Sequence, residues 1–547
     1  MNSKNIADFL NLVKADMNTI FWCKTYEPDR FINDFLMAIR DDVSNSKFDM
    51  NGIFVWDAAS GLSTFNNASG TFISLSLTAS EIYRKTINPK GLLDNIAEEQ
   101  MNLMTTLPIY ILKNFHMFNR ASVAPNVVQG LLNLRQPGNF YQQLPVIIVS
   151  PIVDIPEEES KLFTVFEYEL PSESQIKDLV GNVVNQLKNK NIIVSDNDMK
   201  TIVSSAKGLT YNEINNCSRK SIAIKKTLDP DFFKKEKVEI VKQSGCLDFK
   251  ETNSLTINDM GGNDEFKKWL LEEKELFEPE AKDFGLELPK GYICFGPPGS
   301  GKSASAEITA NLLGVPLLEL NFSKIMGSLV GQSERAIDKA LSIAKATAPC
   351  VLLLDECEKV LGGYVSSQSS DSGTLSRVLS RLLTFMQDNN SGVFVIMTSN
   401  DITKLPPELM RSGRFETQWY FGLPDSEERE SIISLYLNKK DKKLSSSLMK
   451  YLVDKTQNFT GAELKNTISI MLRKLYLRYK KDKSIETSKF TEEDIDQAVL
   501  EIVPVYKYAY DTILELQQYA KTRARFASKN EKLSHDIINN LTNTISI

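Results

Sequence analysis

One junction restricts this chain more than any other feature. The apolar run Tyr292-Ile-Cys-Phe295 passes directly into Gly296-Pro-Pro-Gly-Ser-Gly301-Lys302-Ser303, and a helical stretch ending at Leu313-Gly314 follows. Strand, glycine-rich loop and helix in that order match GxxxxGK[ST]. Glycines let the backbone curl until consecutive N–H groups face one anion, and the helix N-terminus adds a dipole favouring negative charge. The pattern assigns Pro298, Gly299, Ser300, Gly301, Lys302, Ser303 and Ala304 to a nucleotide polyphosphate, with Lys302 at the terminal phosphates and the Ser303 hydroxyl on Mg2+. Such a junction belongs to an α/β fold, at the carboxyl end of a parallel strand.

About fifty residues on, the buried run Cys350-Val-Leu-Leu-Leu354 ends in Asp355 and Glu356. Two acids at a strand end are a weak signal alone and a strong one after a phosphate loop. Asp355 is expected to hold the hydrated Mg2+ and Glu356 to polarise the attacking water.

From these residues outward the second half resembles the AAA+ ATPases of the substrate-remodelling type. Asp259-Met-Gly261-Gly262 is similar to that family's adenine-side motif. Asn400, closing Val-Ile-Met-Thr-Ser-Asn, sits where the family has the sensor that helps position the lytic water. Arg411-Ser-Gly-Arg414-Phe415 resembles its paired arginine fingers, and Phe459-Thr-Gly461-Ala462-Glu463 its lid motif beside the adenosine. The resemblance implies a three-layer αβα P-loop NTPase sheet with a helical lid, ATP and Mg2+ as cofactors, and a homo-oligomer, a hexameric ring. In Gly327-Ser-Leu329-Val330-Gly331, Leu329 takes the slot where the family places the aromatic that grips a polypeptide.

The first half repeats the rhythm. Leu112-Lys113-Asn114, Val149-Ser150-Pro151, Pro171 and Gly208-Leu-Thr210 fall against Leu354-Asp355-Glu356, Thr398-Ser399-Asn400, Pro424 and Asn458-Phe-Thr460. A nearly constant offset of roughly 250 residues suggests an internal duplication. Two unrelated α/β domains with similar strand spacing are the alternative. No glycine precedes Gly52, so the first strand, Ile20-Phe-Trp-Cys23, cannot open into a phosphate loop. Under duplication this half is a degenerate AAA-like domain. The whole arrangement resembles the uncharacterised two-domain AAA ATPases encoded in plastids and cyanobacteria.

The expected modules are a degenerate α/β domain at 1–168, a lid-like helical part at 169–228, a linker at 229–255, an ATPase core at 256–421, a helical lid at 422–503, and a C-terminal helix with polar tail at 504–547. Composition narrows the function. Sixty-four basic against seventy acidic residues leave a net charge of −6, which argues against a wholly nucleic-acid-binding surface. With only His116 and His535, a histidine metal site or triad has no material. Six cysteines without a CxxC pair read as reduced core thiols of a cytoplasmic protein. No apolar run approaches the ~18 residues of a membrane helix. These readings converge on a Mg-ATP-hydrolysing ring ATPase acting on an unidentified protein partner or assembly. A nucleic-acid-associated ATPase, resting on the Arg473–Lys483 run and on Lys521, Arg523, Arg525, Lys529 and Lys532, and a slow nucleotide-controlled scaffold are the alternatives.

Overall fold

A computed structural model describes residues 2–15, 19–42, 48–75, 82, 85–101, 106–119, 124–135, 143–153, 155, 159–188, 195–250, 255–326, 332–366, 372–411, 413–483 and 490–529. The chain divides into two compact units, Met1–Glu236 and Lys237–Ile547.

The first unit is built on a seven-stranded sheet. Its strands are β1 (Ile20–Lys24), β2 (Phe48–Asp57), β3 (Gly61–Asn66), β4 (Thr71–Ser74), β5 (Leu107–Lys113), β6 (Val146–Ser150) and β7 (Phe163–Glu167), in the spatial order β4-β3-β2-β5-β6-β1-β7. The run from β2 to β7 is parallel, and β3 and β4 extend it as an antiparallel hairpin. β1, β5 and β6 bury nearly every side chain, as strands covered on both faces do. Helices Glu173–Lys188, Asp196–Ala206 and Tyr211–Lys225 follow the sheet.

The second unit holds another seven-stranded sheet: β8 (Leu247–Lys250), β9 (Gly291–Phe295), β10 (Leu317–Leu320), β11 (Cys350–Leu354), β12 (Val393–Ser399), β13 (Thr417–Tyr420) and β14 (Arg525–Phe526), ordered β14-β13-β9-β12-β11-β10-β8. Five strands, β10-β11-β12-β9-β13, are parallel and stand in the same relation to one another as β2-β5-β6-β1-β7. A lid of helices Ser426–Asn438, Ser446–Lys455, Gly461–Lys481 and Glu492–Leu500 has its own apolar core around Ile433, Leu452, Leu464 and Ile495.

Two expectations are corrected. The stretch 229–255, expected as a linker, holds the helix Pro230–Ser244 and the strand β8, which pairs antiparallel with β10. Its charges had masked Phe233 and Val241, both buried, on one face of that helix. The C-terminal stretch, expected as a helix and polar tail, continues past the helix Tyr510–Arg523 into β14, which adds to the edge of the sheet beside β13. Six free cysteines are all buried, in accord with reduced thiols.

Candidate functional site

The phosphate loop is shaped by backbone that only glycine accepts easily. Gly296, Gly299 and Gly301 have φ of 147°, 81° and 102°. A Cβ on Gly296 would lie 2.0 Å from the Phe421 carbonyl, and one on Gly299 would lie 2.8 Å from the Ala462 methyl. The loop is thus wedged between β13 and the lid. Lys302 opens the helix Lys302–Leu313 and is 6% exposed. Its Nζ donates to the Gly296 and Pro297 carbonyls, each at 2.8 Å. Burial pushes this ammonium down to about 8, against the pull of nearby carboxylates including Glu358 and Asp355. The Ser300 hydroxyl oxygen is buried without a hydrogen-bond partner among the described residues. An orphaned hydroxyl and a desolvated cation, side by side at a helix start, fit an anion that would satisfy both.

The Ser303 hydroxyl donates to Asp355 at 2.9 Å, tying the loop helix to the end of β11. Thr398, on the neighbouring strand β12, holds both acids: its hydroxyl donates to the Asp355 carboxylate and accepts from the Glu356 backbone N–H at 2.9 Å. Glu356 has φ 51°, a left-handed conformation that such a bond sustains. Its carboxylate is in an ion pair with Lys359. Among the described residues no group of three or more His, Cys, Asp or Glu is arranged for a metal. One carboxylate and one hydroxyl suit Mg2+, which keeps waters and takes substrate phosphates as further ligands.

Asn400 directs its amide to Glu358 at 2.8 Å, with Glu356 farther off at 3.5 Å. Asp259 closes a capping box with Thr256 and pairs with Lys439 at 2.5 Å; the Lys439 hydrogen bond is the main reason its carboxyl falls to about 2. Gly261 and Gly262 lie against Ile432 and Glu428 of the lid helix Ser426–Asn438, where any Cβ would clash. The Asp259–Gly262 segment therefore fastens the core to the lid. Gly461 and Ala462 begin the lid helix Gly461–Lys481, capped by Thr460 and Glu463, and the Ala462 N–H donates to the Gly299 carbonyl at 3.1 Å. Arg411 and Arg414 follow β12 on an exposed turn. Among the described residues neither bonds to the loop or to the paired acids, and Arg414 donates to the Glu408 carbonyl. Leu329 and Val330 lie outside the described residues.

The geometry is that of a nucleotide site, and the comparisons agree. Residues 292–423 match the family described as ATPase family associated with various cellular activities (AAA). Residues 6–168 and 174–244 match the N-terminal and second domains described for SpoVK-like AAA ATPases. Over 530 residues the chain is 30% identical to a protein of Guillardia theta described as uncharacterized AAA domain-containing protein ycf46, covering 96% of each. The chain belongs to the ycf46 family of AAA-domain proteins. This ycf46-type chain is accordingly an ATPase with a P-loop NTPase fold preceded by a second α/β domain. It is also similar over part of its length to a probable 26S proteasome regulatory subunit 10B of Caenorhabditis elegans, 28% identical over 56% of this chain and 77% of that one. The ATP-dependent zinc metalloprotease FtsH 1 of Thermoanaerobacter sp. is 32% identical over 39% of this chain and 36% of its own. Among the described residues no helix of the ycf46-type chain is long and apolar enough to cross a membrane.

Two contributors to the site escaped the sequence. Neither Thr398 nor Glu358 belongs to a motif that the sequence displays: a threonine in an apolar strand and an acid beyond the Asp-Glu pair carry no local signal. Both become visible only once β11 and β12 are set side by side, Leu354 against Met397.

Proposed function

We propose that this chain is a Mg-ATP-hydrolysing ring ATPase that remodels or regulates a protein partner or assembly, with the first unit serving as adaptor or ring stabiliser. The observation that carries the reading is the closed set of contacts around the loop: Ser303 to Asp355, Thr398 to both acids, and Gly299 to Ala462. In this reading Gly299, Ser300 and Gly301 bind phosphate oxygens through backbone N–H groups, and Lys302 leaves its two carbonyls for the terminal phosphates. Ser303 and Asp355 hold Mg2+, whose charge when bound offsets that of the phosphates. Glu356 accepts the proton of the attacking water, and Asn400 orients that water. Gly461, Ala462 and the Asp259–Gly262 turn flank the base. Arg411 and Arg414 act on a nucleotide held by a neighbouring copy. The working modules are 1–168, 169–228, 256–421 and 422–503.

The names of the partial relatives, a proteasome regulatory subunit and an ATP-dependent protease, support a protein as the object of the work. The test is a Glu356→Gln trap. The variant should bind ATP, fail to turn it over, and hold its partner during purification. ATP binding lost together with hydrolysis would overturn the division of roles between Asp355 and Glu356. A nucleic acid retained in place of a protein would overturn the assignment of substrate.

A further inference from the structure

The end of the ATPase unit builds a second charged feature beside Arg411. The helix Tyr510–Arg523 and β14 form one wall of a groove of about 440 Å3, and the turn bearing Arg411 and Phe415 forms the other. Four cations line it, Arg411, Lys521, Arg523 and Arg525, against the Glu416 carboxylate, with Glu273 behind it near enough to interact with Arg525. The Glu416 carboxylate already accepts the Lys290 backbone N–H at 3.0 Å. Among the described residues none of the four cations is in an ion pair. Instead Arg523 lies over the Tyr519 ring at 5.1 Å and Arg525 over Trp419 at 5.8 Å. Stacking fixes a guanidinium in place while leaving its in-plane N–H donors unspent.

The wall is rigid. Ala527, fully buried, donates to the Tyr420 carbonyl at 3.0 Å and accepts from Glu265 and Phe266 at 3.0 and 3.2 Å. Leu516 and Ala520 sit in the core, and Tyr519 packs edge-on against Phe295, the residue immediately before the phosphate loop, at 5.5 Å. An ordered concentration of positive charge on a chain of net charge −6 calls for an anionic occupant of defined shape. A second copy offers one: its nucleotide mouth presents phosphates together with Asp355, Glu356 and Glu358.

We infer that Lys521, Arg523 and Arg525 extend the Arg411 turn into a docking groove for the nucleotide-loaded mouth of a second copy of this chain. The inference rests on the ring reading above. Lys521, Arg523 and Arg525 are docking residues; of the groove's four cations only Arg411 also acts on the reacting phosphate, together with Arg414 outside the groove.

The test uses the full chain. In an Arg523→Ala/Arg525→Ala variant the ATP dissociation constant should stay within about twofold of the parent, while the protein concentration giving half-maximal specific ATPase rate rises at least tenfold. The Arg523→Lys/Arg525→Lys variant keeps the charge but not the stacked fork and should recover part of that shift, which a merely folding-related loss would not. An unchanged half-maximal concentration in the alanine variant, with activity still lost in Arg411→Ala, overturns the groove and leaves the ring reading standing. A parent rate independent of concentration, with Arg411→Ala fully active, fails the ring reading itself. Salt-sensitive binding of a single-stranded oligonucleotide or an acidic peptide that the alanine variant loses, without change in assembly, overturns the groove's assignment to a second copy.

Discussion

The two α/β units are the same scaffold with opposite contents. After β9 the chain spends Gly296–Gly301 on a loop before its helix, whereas after β1 only Thr25-Tyr26-Glu27 separate strand from helix. The backbone joints nevertheless correspond. Thr25 N–H donates to the Ser150 carbonyl at 3.0 Å, as Gly296 does to Ser399 at 3.3 Å. Asn114 and Glu356, each just beyond a central strand, share left-handed φ of 55° and 51°. Where the Ser303 hydroxyl donates to Asp355, Asp29, the second residue of the helix Pro28–Asp41, pairs with Lys113 at 2.8 Å, so that here the acid stands on the helix and the strand end carries a cation. Where Ala462 N–H meets the loop, the Tyr211 N–H donates to Glu27, a buried carboxylate also paired with Arg30 at 2.7 Å. A carboxylate of the chain's own thus meets the start of the helix Tyr211–Lys225, where in the other unit the Gly299 carbonyl meets the start of Gly461–Lys481. The backbone geometry recurs without the phosphate loop, because strand ends and helix caps must be satisfied whether or not a ligand comes.

The sharpest way to break this comparison is Lys302→Ala. With the cation removed and the first unit closed by Glu27, titration of the full chain with ATP should show no saturable binding. A surviving micromolar site would place nucleotide in the first unit. Next in size is Glu27→Ala, which leaves Arg30 buried without a carboxylate partner, holding the Glu169 carbonyl, Gln175 and the face of the Tyr168 ring. The first unit should lose about 3 kcal/mol, read as an earlier urea transition, while the ATPase rate per folded molecule holds. An unshifted transition would show that the Glu27 contacts with Arg30 and Tyr211 do not hold the first unit together.

Thr398→Val separates position from charge in the second unit. It removes the hydroxyl shared by Asp355 and Glu356 but no ionisable group, so kcat should fall about tenfold, with KM little changed. Equal losses in binding and turnover would show that Thr398 supports the cation site alone. The smallest effect concerns pH. Glu273 is raised to about 7, chiefly by burial and then by the charge of Glu416. A carboxyl raised on folding favours the folded state fully below its unfolded value near 4.5, and that advantage disappears as pH rises through 7. Glu273→Gln should therefore stabilise the second unit at pH 8 by about 1 kcal/mol once solvent screening is allowed for, and flatten its stability between pH 5 and 8. An identical pH slope in parent and variant would remove Glu273 as the cause.

Local chemistry made the loop readable. Glycine spacing, a preceding apolar strand and a following helix lie within one short stretch, so the strand, loop and helix around Gly296–Ser303 could be read without any partner. The strand order of both units was legible only as rhythm, because which parallel strands neighbour one another depends on crossovers that leave no local mark. Charge misled at 229–255, where the apolar face of Pro230–Ser244 is thinly spread among lysines and acids.

The sequence by itself determined that one unit binds phosphate and the other lacks the glycines to do so, since those are demands on individual residues. Only the tertiary structure decided what stands in the other unit's place. Glu27 and Tyr211, Thr398 and the Asp-Glu pair, and Arg411 and the Arg523–Arg525 edge are each brought together by packing across long separations. Such contacts follow from a sheet and a core closing on themselves, and closure is a property of the whole chain.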